Sequence, residues 1–160
     1  MGDREPQWAE LIRGPVLVVG VGNEYRLDDG VGLEVARLVE KARVCPVLLA
    51  EEVPENYLGP ICSSGAETVI FCDAVDLKQP PGTWAFVLPE SLAGADVSTH
   101  NPSLRLLADV LRAQGIGSVL IAAVQPLCIG WGRGLSEPVR QAAQELAAEL
   151  VEMISSCSKS

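Results

Sequence analysis

The sequence predicts an α/β protein: a three-layer α/β/α sandwich around a twisted, mostly parallel five-stranded sheet. Three observations carry this. β-branched apolar runs alternate along the chain with amphipathic stretches of helical period. The first run, Val16 to Val19, passes through Gly20-Val21-Gly22-Asn23 and the carboxylates Asp28 and Asp29 into a helical pattern of Val31, Val35, Leu38, Val39 and Ala42. One connection, from Asp73 to Thr83, lacks a helical apolar pattern. A parallel crossover takes roughly a dozen residues or more, usually as a helix. This connection therefore predicts one antiparallel strand, placed at a sheet edge.

Taken in order, residues 7–12 form an amphipathic turn or short helix, and residues 16–20 form strand one. Helix one spans residues 30–42, and strand two spans 47–51. Pro54-Glu55-Asn56-Tyr57-Leu58 opens a short second helix that ends near residues 63–65. Strand three is 68–72, with Asp73 at its end, and Pro80-Pro81-Gly82 turns the chain into strand four at 84–88. Asn101 and Pro102 have the character of an N-cap and a first helical residue, and Leu104, Leu107, Val110 and Leu111 line one face of helix three. Strand five is 119–124. The last helix opens at Ser136-Glu137-Pro138 and carries Val139, Ala142, Ala143, Leu146, Leu150 and Ile154 at helical spacing. Residues 1–160 are expected to form one domain, with 1–13 as an N-terminal extension and 155–160 as a frayed tail.

Right-handed crossovers put helix one on one face of the sheet and helices two and three on the other. The expected strand order is 2-1-3-5-4. Its switch point falls between strands one and three, where open α/β sheets bind ligands at the carboxyl ends of the strands.

Composition narrows the partners. Hydrophobic residues make up 48% of the chain, enough for an ordinary packed core rather than disorder. The formal charge of −9 argues against nucleic acid, whose phosphates call for Lys and Arg, and against anionic membrane surfaces. No apolar run approaches the length of a membrane span, so no membrane insertion is expected. Asp3, Glu5 and Glu10 rule out a signal-peptide core, and Pro6 stands where a myristoylation site needs Ser or Thr. The five cysteines are odd in number, widely spaced and free of any Cys-x-x-Cys pair, which suits a reducing cytoplasm.

The glycine turn after strand one raises a choice of ligand. A dinucleotide fingerprint needs G-x-G-x-x-G, and Tyr25 stands where its third glycine belongs. Asp28 and Asp29 would also repel a pyrophosphate at short range. The acid pair suits a cation instead, although Asp28 also has the character of a helix cap. Asp29 after strand one, Asp73 at the end of strand three and His100 before helix three all fall around the expected crevice. Two carboxylates and an imidazole make a three-ligand site with open positions, a seat for a borderline divalent metal such as nickel or zinc. Each residue also has a purely structural alternative. Asp73 can end its strand by accepting backbone N–H bonds, and His100 can be a hydrogen-bonded residue at a helix entry. The hydrolytic signatures G-x-S-x-G, H-E-x-x-H and the P-loop are absent. Strand alternation turns Cys72 away from Asp73, which argues against a thiol nucleophile.

These residues resemble a known family over nearly the whole chain: the [NiFe]-hydrogenase maturation endopeptidases. Gly20-Val21-Gly22-Asn23 through Arg26-Leu27-Asp28-Asp29-Gly30-Val31-Gly32 is similar to the family's first motif. Asp73 in Val69-Ile70-Phe71-Cys72-Asp73-Ala74 resembles its second acid, and Ser98-Thr99-His100-Asn101 its histidine motif. Val124-Gln125-Pro126 and Leu135-Ser136-Glu137-Pro138-Val139 resemble later signatures. Glu52-Val53-Pro54-Glu55-Asn56 and Thr99-His100-Asn101 look most like the branch that processes the hydrogenase of formate hydrogenlyase, hydrogenase 3. Leu27 departs from the pattern, since relatives often carry a small residue there, and some relatives have Glu in place of Asp29.

The resemblance implies an aspartic-type endopeptidase that removes a C-terminal extension from the hydrogenase large-subunit precursor after nickel insertion. Asp29 and Asp73 are then the catalytic acids, and Asp29, Asp73 and His100 the residues that contact metal. The nickel is carried by the substrate, so no tightly held cofactor is expected, and the enzyme is expected to act as a cytoplasmic monomer. The metal can polarise the carbonyl or activate a water, or either acid can serve as the base. Backbone N–H groups of the 20–23 turn are candidate oxyanion donors, and Asn23 either adds a donor or braces the turn. Two other classes remain compatible with the residues: a metal-dependent hydrolase of another peptide or small molecule, and a non-catalytic nickel-binding maturation chaperone.

Overall fold

The computed structural model of the chain describes residues 7–93, 97–99 and 101–157. β1 (Val16–Val21) is buried along its whole length because both of its faces are covered. Alternation sends Leu17, Val19 and Val21 into one apolar layer and Val16 and Val18 into the other. β1 lies between β2 (Val47–Glu51) and β3 (Thr68–Asp76), parallel to both. β6 (Ser118–Val124) extends the parallel sheet beyond β3, and β4 (Trp84–Val87) closes the edge antiparallel to β6. The order β2-β1-β3-β6-β4 is the expected 2-1-3-5-4 with its one antiparallel edge. The numbering shifts because a two-residue strand, β5 (Ser98–Thr99), pairs antiparallel with the end of β3. So short a segment has no periodicity to read.

On one face, α2 (Val31–Ala42) and α5 (Glu137–Cys157) pack on the sheet through Val35, Ala36, Val39, Val139, Leu146 and Leu150. On the other, α3 (Leu58–Ser63) and α4 (Ser103–Ala113) contribute Ile61, Leu104, Leu107 and Leu111. A 3-10 turn at Pro54–Tyr57 precedes α3.

The first and last of the described residues are more tightly held than expected. α1 (Trp8–Leu11) sits within the N-terminal extension, and Trp8 tilts against Phe86 at 5.7 Å while Ile12 is buried. At the other end the expected frayed tail begins at Ser155, but α5 continues to Cys157, because Met153 and Ile154 are buried and the Cys157 thiol donates to the Ile12 carbonyl at 3.3 Å. Residues 158–160 of that tail lie outside the described residues.

Glycines let the start of α2 press onto the sheet. A Cβ on Gly32 would fall 2.1 Å from the Cys72 carbonyl oxygen and 2.3 Å from that of Val21. A Cβ on Gly22, at φ +142, would fall 2.0 Å from the Asp29 carbonyl oxygen. The helix entry is therefore seated directly on the end of β1 and on Cys72 of β3, beside Asp29 and Asp73.

Candidate active site

β3 runs further than its apolar core suggests. Asp73 pairs with Ala123 and Ala74 with Val124, so Asp73 sits inside the strand rather than at its end. Pairing with β1, by contrast, stops at Cys72. Asp73 is thus the first residue of β3 beyond the β1 ladder, held in extended backbone by β6. Its side chain is buried, and its Oδ2 accepts from the Thr99 hydroxyl and the Asn101 Nδ2, both at 3.1 Å. Oδ1 is also buried and has no hydrogen-bond partner among the described residues. An orphaned carboxylate oxygen is costly unless a ligand answers it.

Asn101 is the residue whose role the sequence did not disclose. It has the character of an N-cap, but Pro102 occupies the cap position of α4 and the Asn101 amide turns to Asp73 instead. Thr99 holds both groups: its Oγ donates to Asp73 and accepts from the Asn101 backbone N–H at 3.0 Å. Two polar residues flanking His100 in the sequence were the available signal. His100 itself, the third residue of the expected ligand set, lies outside the described residues.

Asp29 sits in a 3-10 turn, Leu27–Gly30, that runs into α2. It is almost fully buried, and its Oδ2 accepts from the Asn23 backbone N–H at 3.1 Å. The Asn23 side chain braces the turn: Oδ1 accepts from the Tyr25 N–H at 2.9 Å and Nδ2 donates to Glu52 at 2.8 Å. The Gly22 N–H is spent on the Glu51 carbonyl at 2.8 Å. Gly22 and Asn23 therefore leave the set of candidate oxyanion donors, because strand pairing and the Asp29 carboxylate already hold their N–H groups.

Asp28 and Asp29 do not act as a pair. Asp28 is fully buried and faces the other way, onto residues 127–136. Its Oδ2 accepts from the N–H groups of Leu127 at 2.9 Å and Cys128 at 3.2 Å and from the Ser136 hydroxyl at 2.7 Å, while Oδ1 accepts from the Ser136 N–H at 2.7 Å. Successive residues of a tight turn project in different directions, and here only Asp29 turns toward the β1–β3 crevice. No side-chain cap precedes α2, so the capping role is not Asp28's either.

The turn also explains Leu27. It adopts φ 53, a left-handed conformation that costs a non-glycine residue roughly 1–2 kcal/mol. Glycine, which has no Cβ, avoids that cost. Leu27 is compensated by packing on Gly132, where an added Cβ would lie 2.8 Å from its Cδ2.

Burial, first, and the nearby Asp29 charge push the Asp73 carboxyl up to about 7, against the opposing pull of the Asn101 and Thr99 bonds. A folded-state value above the unfolded 3.8 means that the native protein holds this proton more tightly than the unfolded chain. The resulting stability is present below the unfolded value and is lost as pH rises through about 7. Asp73→Asn removes that term. The melting temperature of the variant relative to the native protein is therefore expected to rise between about pH 4 and about pH 7 and to level off above, the rest of the pH response being common to both. A difference that stays flat across this range would mean that Asp73 is not neutralised by its surroundings.

Cys72 joins Val18, Val35 and Ala122 in the layer beneath α2 and α5, and burial pushes its thiol well above the usual range. With this thiol buried beneath α2 and α5, Asp29 and Asp73 are left as the candidate reacting groups, since the third buried carboxylate, Asp28, is occupied by the 127–136 loop.

A model of the HycI hydrogenase maturation proteases matches residues 34–153. The chain belongs to this family. The protease is 29% identical over 136 residues to the hydrogenase 3 maturation protease of Escherichia coli K12, a match covering 81% of this chain and 85% of that one. Its fold is similar to the crystal structure of a [NiFe] hydrogenase maturation protease, HycI, from Thermococcus kodakarensis KOD1. The TM-score is 0.81 and the identity 29%, over 92% of this chain and 97% of the other. The solution structure of the endopeptidase HycI from Escherichia coli gives a TM-score of 0.78 at 25% identity, over 87% and 90% of the two chains. The protease is thus a hydrogenase maturation endopeptidase, a hydrolase on a mostly parallel α/β sheet.

Proposed function

We propose that this protease removes the C-terminal extension of a [NiFe]-hydrogenase large-subunit precursor after nickel insertion, with Asp29 and Asp73 as its catalytic acids. The observation that carries the reading is the Asp73 carboxylate, buried beside Asp29 with one oxygen that has no hydrogen-bond partner among the described residues. A cation brought by the substrate would satisfy that oxygen and relieve the repulsion between the two acids. Nickel is part of the substrate in this scheme. Asp29, Asp73 and His100 contact it, and contact places the scissile peptide in the crevice, so that cleavage follows from proximity.

The residues have distinct tasks. Asp73, held through Oδ2 by Thr99 and Asn101, presents Oδ1 to the metal or to the attacking water. Asp29, fixed by the Asn23 N–H, supplies the second carboxylate. The acid that does not hold metal is placed to take the proton of the water. No serine or thiol nucleophile is needed, which makes the protease aspartic in type. It is proposed to act as a monomer in the cytoplasm. Among the described residues no helix is long and apolar enough to cross a membrane.

The direct test incubates the protease with nickel-loaded and nickel-free precursor and weighs the products. Loss of the extension from the loaded form alone is expected. An intact loaded precursor, bound but uncut, would overturn the reading. His100→Ala is expected to weaken recognition of loaded precursor through loss of one nitrogen ligand, seen as a higher KM. An unaltered KM and rate would return His100 to a structural role.

A further inference from the structure

Two segments distant in sequence form one unit beside the proposed catalytic acids. The turn before α2 and the 127–136 loop exchange backbone bonds: Leu27 N–H to the Gly132 carbonyl at 3.0 Å, Gly132 N–H to Tyr25 at 2.9 Å, and Asp28 N–H to Cys128 at 3.0 Å. The Asp28 carboxylate adds its four bonds to Leu127, Cys128 and Ser136. Two of the four come from Ser136 in the Leu135-Ser136-Glu137 segment. The unit carries most of the large apolar side chains that the described residues leave exposed. Trp131 is 80% exposed, Leu127 59% and Tyr25 54%. The Arg26 guanidinium lies 5.4 Å over the Trp131 ring and Arg133 lies 4.9 Å over Tyr25. An exposed tryptophan held by a cation–π contact on a loop pinned by a buried carboxylate is preorganised for a partner.

We infer that Asp28 is a positioning residue that clamps the 127–136 loop, and that Trp131 on this loop grips the precursor next to the cut. The inference rests on the proposed function. The occupant is the precursor because the gripping unit and one of the acids belong to one turn: Asp28 and Asp29 are consecutive, and the Gly132 N–H binds Tyr25 in the residues that lead into that turn. The matching chemistry is a segment with an apolar side chain for the Trp131 face and a carboxylate for Arg26 or Arg133.

The test has a substrate-free arm and a kinetic arm. In 5-fluorotryptophan-labelled protein, Asp28→Asn puts an amide donor against N–H donors and is expected to shift or narrow the Trp131 fluorine resonance alone, leaving Trp8 and Trp84 in place. A general loss of stability would not single out one of three tryptophans. With nickel-loaded precursor, Trp131→Ala is expected to raise KM about 10-fold or more, with kcat within about 2-fold. If Asp28 acts through the loop, Asp28→Asn combined with Trp131→Ala raises KM no further than Trp131→Ala alone. Should Asp28→Asn fail to fold, Ser136→Ala removes one of the four bonds and serves in its place. An unmoved Trp131 resonance, an unchanged KM in Trp131→Ala, or effects that multiply in the double variant would each overturn the inference. Wild-type protease that leaves loaded precursor whole would instead overturn the proposed function, and the fluorine spectrum would still decide the clamp.

Discussion

Asp73→Asn is expected to abolish cleavage of nickel-loaded precursor while leaving a folded protein. The side chain keeps its size, and the asparagine oxygen can still accept from Thr99 and Asn101 as Oδ2 does now. The change takes away the charge and the basic oxygen at the Oδ1 position, which a metal contact and a proton acceptor both require. Loss of a general base alone slows a reaction by about 10²–10⁴-fold, and loss of the metal contact adds to that. The measurement is single-turnover cleavage followed by mass, with melting temperature as the check on folding. Processing at the native rate would remove Asp73 from the mechanism. Asp29→Asn is expected to behave alike, since it sits at the other side of the same crevice.

Precursor stripped of nickel is expected to remain uncut even at saturating protease. Burial first, and then the Asp29 charge, disfavour the ionised Asp73, and a substrate without a cation offers nothing to offset either. A metal that polarises the reacting carbonyl supplies several kcal/mol, about 10²–10³-fold in rate. The same scheme predicts weak nickel binding by the isolated protease, because two carboxylates and one imidazole lack thiolates, while the precursor brings its own cysteine ligands. Equilibrium dialysis and cleavage in the presence of chelator measure both. Tight one-to-one binding by the protease alone, with rapid cutting of metal-free precursor, would mark an ordinary metallopeptidase. The checkpoint on a finished metal site would then be lost.

Residue pattern alone determined the strand order, the antiparallel edge and the two helical layers. β-branched runs such as Val16–Val19 bury both faces of a strand, and a connection as short as 73–83 cannot carry a crossover helix. The same pattern put Asp29 after β1 and Asp73 after the apolar core of β3, although β3 runs on past Asp73 and only its ladder with β1 stops at Cys72. What the tertiary structure decided was direction and partnership. Nothing in Asp28-Asp29 says that one carboxylate turns to the crevice while its neighbour binds a loop about a hundred residues away, because that choice is made by donors at Leu127, Cys128 and Ser136. Asn101 has the same local signature whether it caps a helix or holds Asp73, and only the approach of β5 to β3 selects the second. Local chemistry is written in a few consecutive residues and can be read there. The aim of a polar side chain depends on which distant donors folding brings within about 3 Å, and no window of sequence contains them.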